Sequence, residues 1–117
     1  MKEIGKFMAL WKIEYWSNDA TGNSPIKKWL DKLTDEQGRA ISKQLFYLKE
    51  YGNELELPHS KALGKGLFEL RDKEYGYRVY YAFHGKYIII LLAAGDKNSQ
   101  DKDIKTARDR LIKIKKG

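Results

Sequence analysis

Eight consecutive apolar residues, Tyr87 to Ala94 (Tyr-Ile-Ile-Ile-Leu-Leu-Ala-Ala), constrain this chain more than any other feature. Side chains alternate between the two faces of a strand, so a segment that is apolar at both parities calls for cover on both. The run is far short of the ~18 residues a membrane span needs. It reads as a central strand. Gly85-Lys86 before it is hairpin-sized, and Tyr77 to His84 reads as its neighbour. Leu67 to Arg71 is a third strand, joined to the second through Asp72 to Gly76, so successive strands are expected to run antiparallel.

The preceding half of the chain has a different period. Leu10 to Trp16 alternates and is rich in aromatics, as a half-buried first strand does, and the turn formers of 17–23 follow it. Ser24-Pro25 then opens a helix, with serine as N-cap and proline at the first helical position. Ile26, Trp29, Leu30 and Leu33 give it one apolar stripe. Thr34 to Gln37 has capping-box spacing and begins a second helix striped by Ile41, Leu45 and Leu48, with Gly52 as its stop. Pro58 breaks any helix, and Gly64 and Gly66 frame a tight turn around Lys65. Asp101 to Lys113 is a last helix with Ile104, Ala107, Leu111 and Ile114 on one side. The expected order is βααβββα: an α+β fold in one domain over 1–117, an antiparallel sheet with a helical hairpin packed on one face and a C-terminal helix. Residues 1–8 read as a frayed extension.

Charge and composition narrow the function classes. The 117 residues contain 23 Lys+Arg against 16 Asp+Glu, a formal +7, which suits a polyanionic partner. The excess is uneven: Lys97 to Gly117 holds eight basic residues and three acidic ones. With no cysteine there is no disulfide framework, thiolate metal site or cysteine nucleophile, and a reducing compartment is expected. Met1 to Leu10 lacks the apolar stretch of a signal peptide, so the expected location is the cytoplasm, with no membrane partner. No metal and no cofactor are expected: there is no His-x-x-x-His, and the acidic pairs Asp35-Glu36 and Asp101/Asp103 sit at helix starts, where the helix dipole accounts for them.

Strand parity points to a site. Phe68 and Leu70 share a face, as do Val79, Tyr81 and Phe83. If these face the helical hairpin, Arg71, Arg78 and Tyr80 lie on the opposite, open face. Guanidinium grips two phosphate oxygens at once, and a tyrosine can stack or move a proton. The plainer alternative is that both arginines form surface ion pairs with Glu69, Asp72 or Glu74.

These residues carry a resemblance. Pro58-His59-Ser60-Lys61-Ala62-Leu63-Gly64-Lys65-Gly66-Leu67-Phe68-Glu69-Leu70-Arg71 resembles the lysine, short turn, aromatic, Glu-Leu-Arg stretch of HigB-type toxins, the phage-derived Gp49-like branch of the RelE/ParE superfamily. Arg78-Val79-Tyr80-Tyr81 resembles the strand that follows. Ala94-Gly95-Asp96-Lys97 stands where the family carries a phenylalanine and paired lysines; here Asn98 replaces the second lysine.

The resemblance implies the toxin of a type II toxin–antitoxin system, an endoribonuclease that cleaves messenger RNA in the ribosomal A site without a metal. The 2′-OH would attack the adjacent phosphorus and expel the 5′-oxygen. Arg71 and Arg78 suit charge neutralisation, with Lys61 and Lys97 as further phosphate contacts. His59 and Tyr80 are the proton-transfer candidates. Lys65, Lys102, Lys105 and Arg108 are expected along the RNA path. Implied partners are the ribosome and its messenger, a helix-turn-helix antitoxin docking near Trp11, Tyr15 and Trp16, and operator DNA only through that antitoxin. Two alternatives remain: a non-enzymatic toxin on the same fold that inhibits a protein such as gyrase, and an inactive nucleic-acid-binding member.

Overall fold

The computed structural model describes residues 11–116; the expectation for residues 1–8 lies outside the described residues. The chain begins with β1 (Lys12–Tyr15), followed by α1 (Pro25–Asp31) and α2 (Asp35–Tyr51). Four strands come next: β2 (Ser60–Gly64), β3 (Leu67–Arg71), β4 (Arg78–Phe83) and β5 (Ile88–Gly95). A 3-10 turn, Lys97–Ser99, leads into α3 (Gln100–Lys116).

The helix starts form as their residues dictate. Ser24 Oγ accepts from the Lys27 N–H at 3.3 Å, with Pro25 in the first turn. At α2, Thr34 and Gln37 complete a reciprocal capping box. Each cap satisfies backbone donors that a helix leaves free and is worth about 1 kcal/mol. Gly52 ends α2 at φ +53°, and a Cβ there would run into the Trp11 indole, so both the backbone angle and the packing require glycine.

The five strands lie in the order β1-β5-β4-β3-β2. β2 to β5 are antiparallel neighbours, whereas β1 pairs with β5 in parallel. The α+β architecture, helical hairpin and C-terminal helix are as the sequence implies, with two additions to the sheet. Ser60–Gly64 is a further strand. It is a short edge carrying Lys61 and little apolar alternation, so it leaves almost no sequence signal. The parallel pairing of β1 arises because it joins the sheet beside a strand more than seventy residues away in sequence, where hairpin reasoning does not reach.

The sheet is covered on both faces, which corrects the expectation of one open face. On one side Ile26, Ile41 and Leu48 of the hairpin pack against Leu70, Val79, Tyr81, Ile89 and Leu91. On the other, Ala107 and Leu111 of α3 cover Leu67, Tyr80, Ala82, Leu92 and Ala93. The reason is energetic: each large apolar side chain on that face is worth about 1.5–3 kcal/mol when buried, which an uncovered sheet would forfeit. A bulge in β5 contributes. Tyr80 pairs with Ala93 and Tyr81 with Leu91, so the extra residue Leu92 joins Ala93 on the α3 side.

Candidate active site

The register of β2, β3, β4 and β5 lays out the polar residues as a grid. Lys61, Glu69, Tyr80 and Ala93 form one row across the strands; Arg71, Arg78 and Gly95 form the next row on the same face, two residues on. Two arginines facing one another across adjacent strands would repel, and a carboxylate in the neighbouring row resolves this. Glu69, 1% exposed, brings Oε1 to 2.9 Å from Arg71 Nη2 and 3.6 Å from Arg78 Nε. Gln100 Nε2 donates to its Oε2 at 3.4 Å. Arg78 Nη1 also donates to the Gly76 carbonyl at 2.9 Å. A Cβ on Gly95 would collide with the Asp103 carboxylate and Ser99 Oγ, so glycine there lets the start of α3 close over the end of β5.

The two arginines differ in access. The Arg71 side chain is 37% exposed and Arg78 only 10%. Tyr80 is fully buried, and its hydroxyl has no hydrogen-bond partner. Burial, reinforced by the Glu69 and Asp103 carboxylates and only partly offset by Arg78 and Arg71, pushes its phenol well above the usual range. At neutral pH Tyr80 is therefore a hydrogen-bond donor and a poor base.

His59 precedes β2. Its Nδ1 lies 2.9 Å from Gln44 Oε1 of α2, and its ring centroid is 5.0 Å from that of Tyr47. Two small cavities meet at this residue. One, about 190 Å³, is bounded by Pro58, His59, Lys61, Glu69 and Arg71. The other, about 220 Å³, lies towards α2 and the β3–β4 turn and is bounded by Lys43, Gln44, His59, Arg71 and Asp72.

The structure thus brings His59, Lys61 and Arg71 together around one cavity, with Arg78 and Tyr80 behind them. Lys97 is not part of this group: it is exposed in the turn after β5 and lines neither cavity. The cations placed on the RNA path also divide. Lys102 and Lys105 are exposed on α3, and Lys65 is exposed in the β2–β3 turn at φ +53°. Arg108 donates instead to the Leu63 and Gly64 carbonyls at 2.7 and 3.1 Å, fastening that turn to α3. Among the described residues, no group of three or more His, Cys, Asp or Glu side chains is placed to hold a metal ion.

The strand pattern offers Glu69 only as a surface ion-pair partner and gives no role to Gln44 or Gln100. The signal for Gln44 is present: it falls at i+3 from Ile41 on the stripe that α2 buries, where a polar side chain needs a partner.

Residues 28–115 match the family described as Phage derived protein Gp49-like (DUF891). The chain belongs to the Gp49-like family. An uncharacterized protein from Haemophilus influenzae is 40% identical over 81 residues, spanning 68% of this chain and 79% of the relative. Among solved structures, an arginine-to-alanine double mutant of the E. coli toxin RelE in the free state superposes with a TM-score of 0.62 at 15% identity, covering 88% of this chain and 98% of RelE. The isolated E. coli RelE toxin gives a TM-score of 0.55 at 15% identity, covering 81% and 96%. This Gp49-like protein therefore has the RelE fold.

Proposed function

We propose that this Gp49-like protein is the toxin of a toxin–antitoxin pair and acts as a ribosome-dependent messenger RNA endonuclease. The observation that carries the reading is the meeting of His59, Lys61 and Arg71 around one cavity, backed by the buried guanidinium of Arg78. On a RelE fold, this set matches what transesterification at phosphorus demands. His59 takes the 2′-OH proton as the oxygen attacks the adjacent phosphorus. Arg71 and Lys61 bind the phosphoryl oxygens as negative charge builds, and Arg78 holds the local potential positive from beneath. The 5′-oxygen takes up a proton from solvent water as its bond to phosphorus breaks, and the products carry a 2′,3′-cyclic phosphate and a 5′-hydroxyl. No metal is invoked. The exposed Lys65, Lys102 and Lys105 extend the positive surface along which a messenger would lie.

A second reading is favoured by one observation: Glu69 already engages both arginines, as it would in a member that has given up phosphate chemistry. Such a protein would bind a protein target or nucleic acid without cutting. The experiment that separates the readings is incubation of the purified protein with bacterial ribosomes programmed with a short messenger. Cleavage that disappears in His59→Ala and Arg71→Ala supports the nuclease. Intact RNA at every protein concentration supports the second reading.

A further inference from the structure

Gln44 is a buried polar side chain to which the proposed chemistry gives no role. It lies in the middle of α2, 9% exposed, on the face that otherwise carries Ile41 and Leu48 into the core. A buried amide that leaves the core without satisfaction costs about 1–3 kcal/mol, so its partner is informative. That partner is the His59 ring: Oε1 lies 2.9 Å from Nδ1, across fifteen residues of sequence.

We infer that Gln44 is a positioning residue that fixes the tautomer of His59, accepting from Nδ1–H so that Nε2 carries the lone pair. This rests on the assignment of His59 as the base and deepens it. The two ring nitrogens are inequivalent, and the hydrogen bond made by one decides the protonation of the other. The amide turns its oxygen, Oε1, to the ring, so the nitrogen it meets is the donor. The Tyr47 ring flanks the imidazole and limits its rotation.

The charges around His59 divide by element. From α2 comes Lys43, from β2 Lys61, and from β3 Glu69 and Arg71. The turn after β3 adds Asp72, Lys73 and Glu74. The Asp72 oxygens accept from the Glu74 and Tyr75 N–H groups, and Glu69 is held by the arginines. A neutral amide on Nδ1 brings no formal charge to this set. It selects which nitrogen is free, and a carboxylate in its place would do something different.

That difference supplies the test. In full-length protein with 15N-labelled histidine, two-bond proton–nitrogen spectra above the His59 transition should show the Nδ1–H form, and Gln44→Leu should populate both tautomers. Single-turnover cleavage of a short messenger on ribosomes should fall about tenfold or more in Gln44→Leu, with half-saturating concentration unchanged. Gln44→Glu keeps the acceptor and adds charge. It should retain cleavage while its acid limb moves up by about one pH unit, since an adjacent carboxylate favours the protonated ring. A wild-type Nε2–H tautomer overturns the inference, because the amide would then be donating. So does a Gln44→Leu protein, melting within a few degrees of wild type, that cleaves at the wild-type rate while His59→Ala is inactive. If His59→Ala itself cleaves normally, the assignment of the base has failed and the role of Gln44 falls with it.

Discussion

Glu69→Ala is the substitution whose consequence the structure defines best. It removes a carboxylate that is 1% exposed and leaves Arg78, with 10% of its side chain exposed, without an anion. Two unit charges about 4 Å apart interact by about 4 kcal/mol at the effective dielectric of partly buried sites. Breaking a buried pair by removing one partner typically costs about 3–5 kcal/mol. The Arg71 contact adds little, because that guanidinium is more than a third exposed and solvent screens it to about 0.5 kcal/mol. The expected loss is therefore about 3–4 kcal/mol, a large share of the roughly 5–15 kcal/mol that stabilises a domain. Urea unfolding followed by circular dichroism reads it directly. Adding Arg78→Met to Glu69→Ala should recover most of it, since the uncompensated charge is then gone. A single-variant loss under about 1 kcal/mol, or a double-mutant cycle with no coupling, would refute the picture of Glu69 as the counter-ion that lets two arginines face each other.

Other expectations follow from individual contacts. Arg71→Ala and Arg78→Ala should both relieve growth arrest on expression without the partner, but Arg78→Ala should also melt lower because it removes the buried cation beside Glu69 and leaves only the more exposed Arg71; equal melting of the two contradicts the burial difference. Gly52→Ala should cost about 2–4 kcal/mol in thermal unfolding, since a Cβ meets the Trp11 ring at a left-handed φ. Tyr81, held neutral by burial with its phenol pushed up to about 12 despite the Ser60 hydrogen bond, contributes stability that is complete below pH 10 and lost as pH climbs towards 12, by about 1.4 kcal/mol per unit; Tyr81→Phe should flatten that limb. Trp11 packs on Phe83 and Tyr87 and Trp16 lies under Arg110, so an antitoxin docking beside β1, as the proposed function calls for, would meet Tyr15 (40% exposed) and the nearby Phe46 (60%) instead. Tyr15→Ala and Phe46→Ala should lose co-purification with the adjacent gene product while Trp16→Ala chiefly loses stability.

Much of this was legible in the residues because local rules govern it. Ser24-Pro25 and Thr34 to Gln37 name their helix starts through hydrogen bonds made within four residues. The parity of Phe68 and Leu70 against Leu67, Glu69 and Arg71 correctly divides β3 between faces. What escaped depends on contacts remote in sequence. Parity says that Tyr80 and Arg78 share a face but not that α3 returns to cover it, although Leu67, Ala82 and the two-sided apolarity of β5 required some cover. The β2 edge, Ser60 to Gly64, is held by pairing with β3 rather than by its own pattern. Lys97 and Arg108 show the limit for the site: a basic residue in the right region faces solvent in one case and fastens a turn in the other, and only the fold distinguishes them.

The phosphoryl chemistry proposed for this surface leaves its record at the ends of the RNA it cuts. The most direct measurement is end-group analysis of messenger RNA recovered from programmed ribosomes after incubation with purified protein. Fragments should end in 2′,3′-cyclic phosphate beside 5′-hydroxyl ends, and both should be absent with His59→Ala and with Arg71→Ala. Intact messenger, or fragments that appear equally with those two variants, would contradict that chemistry.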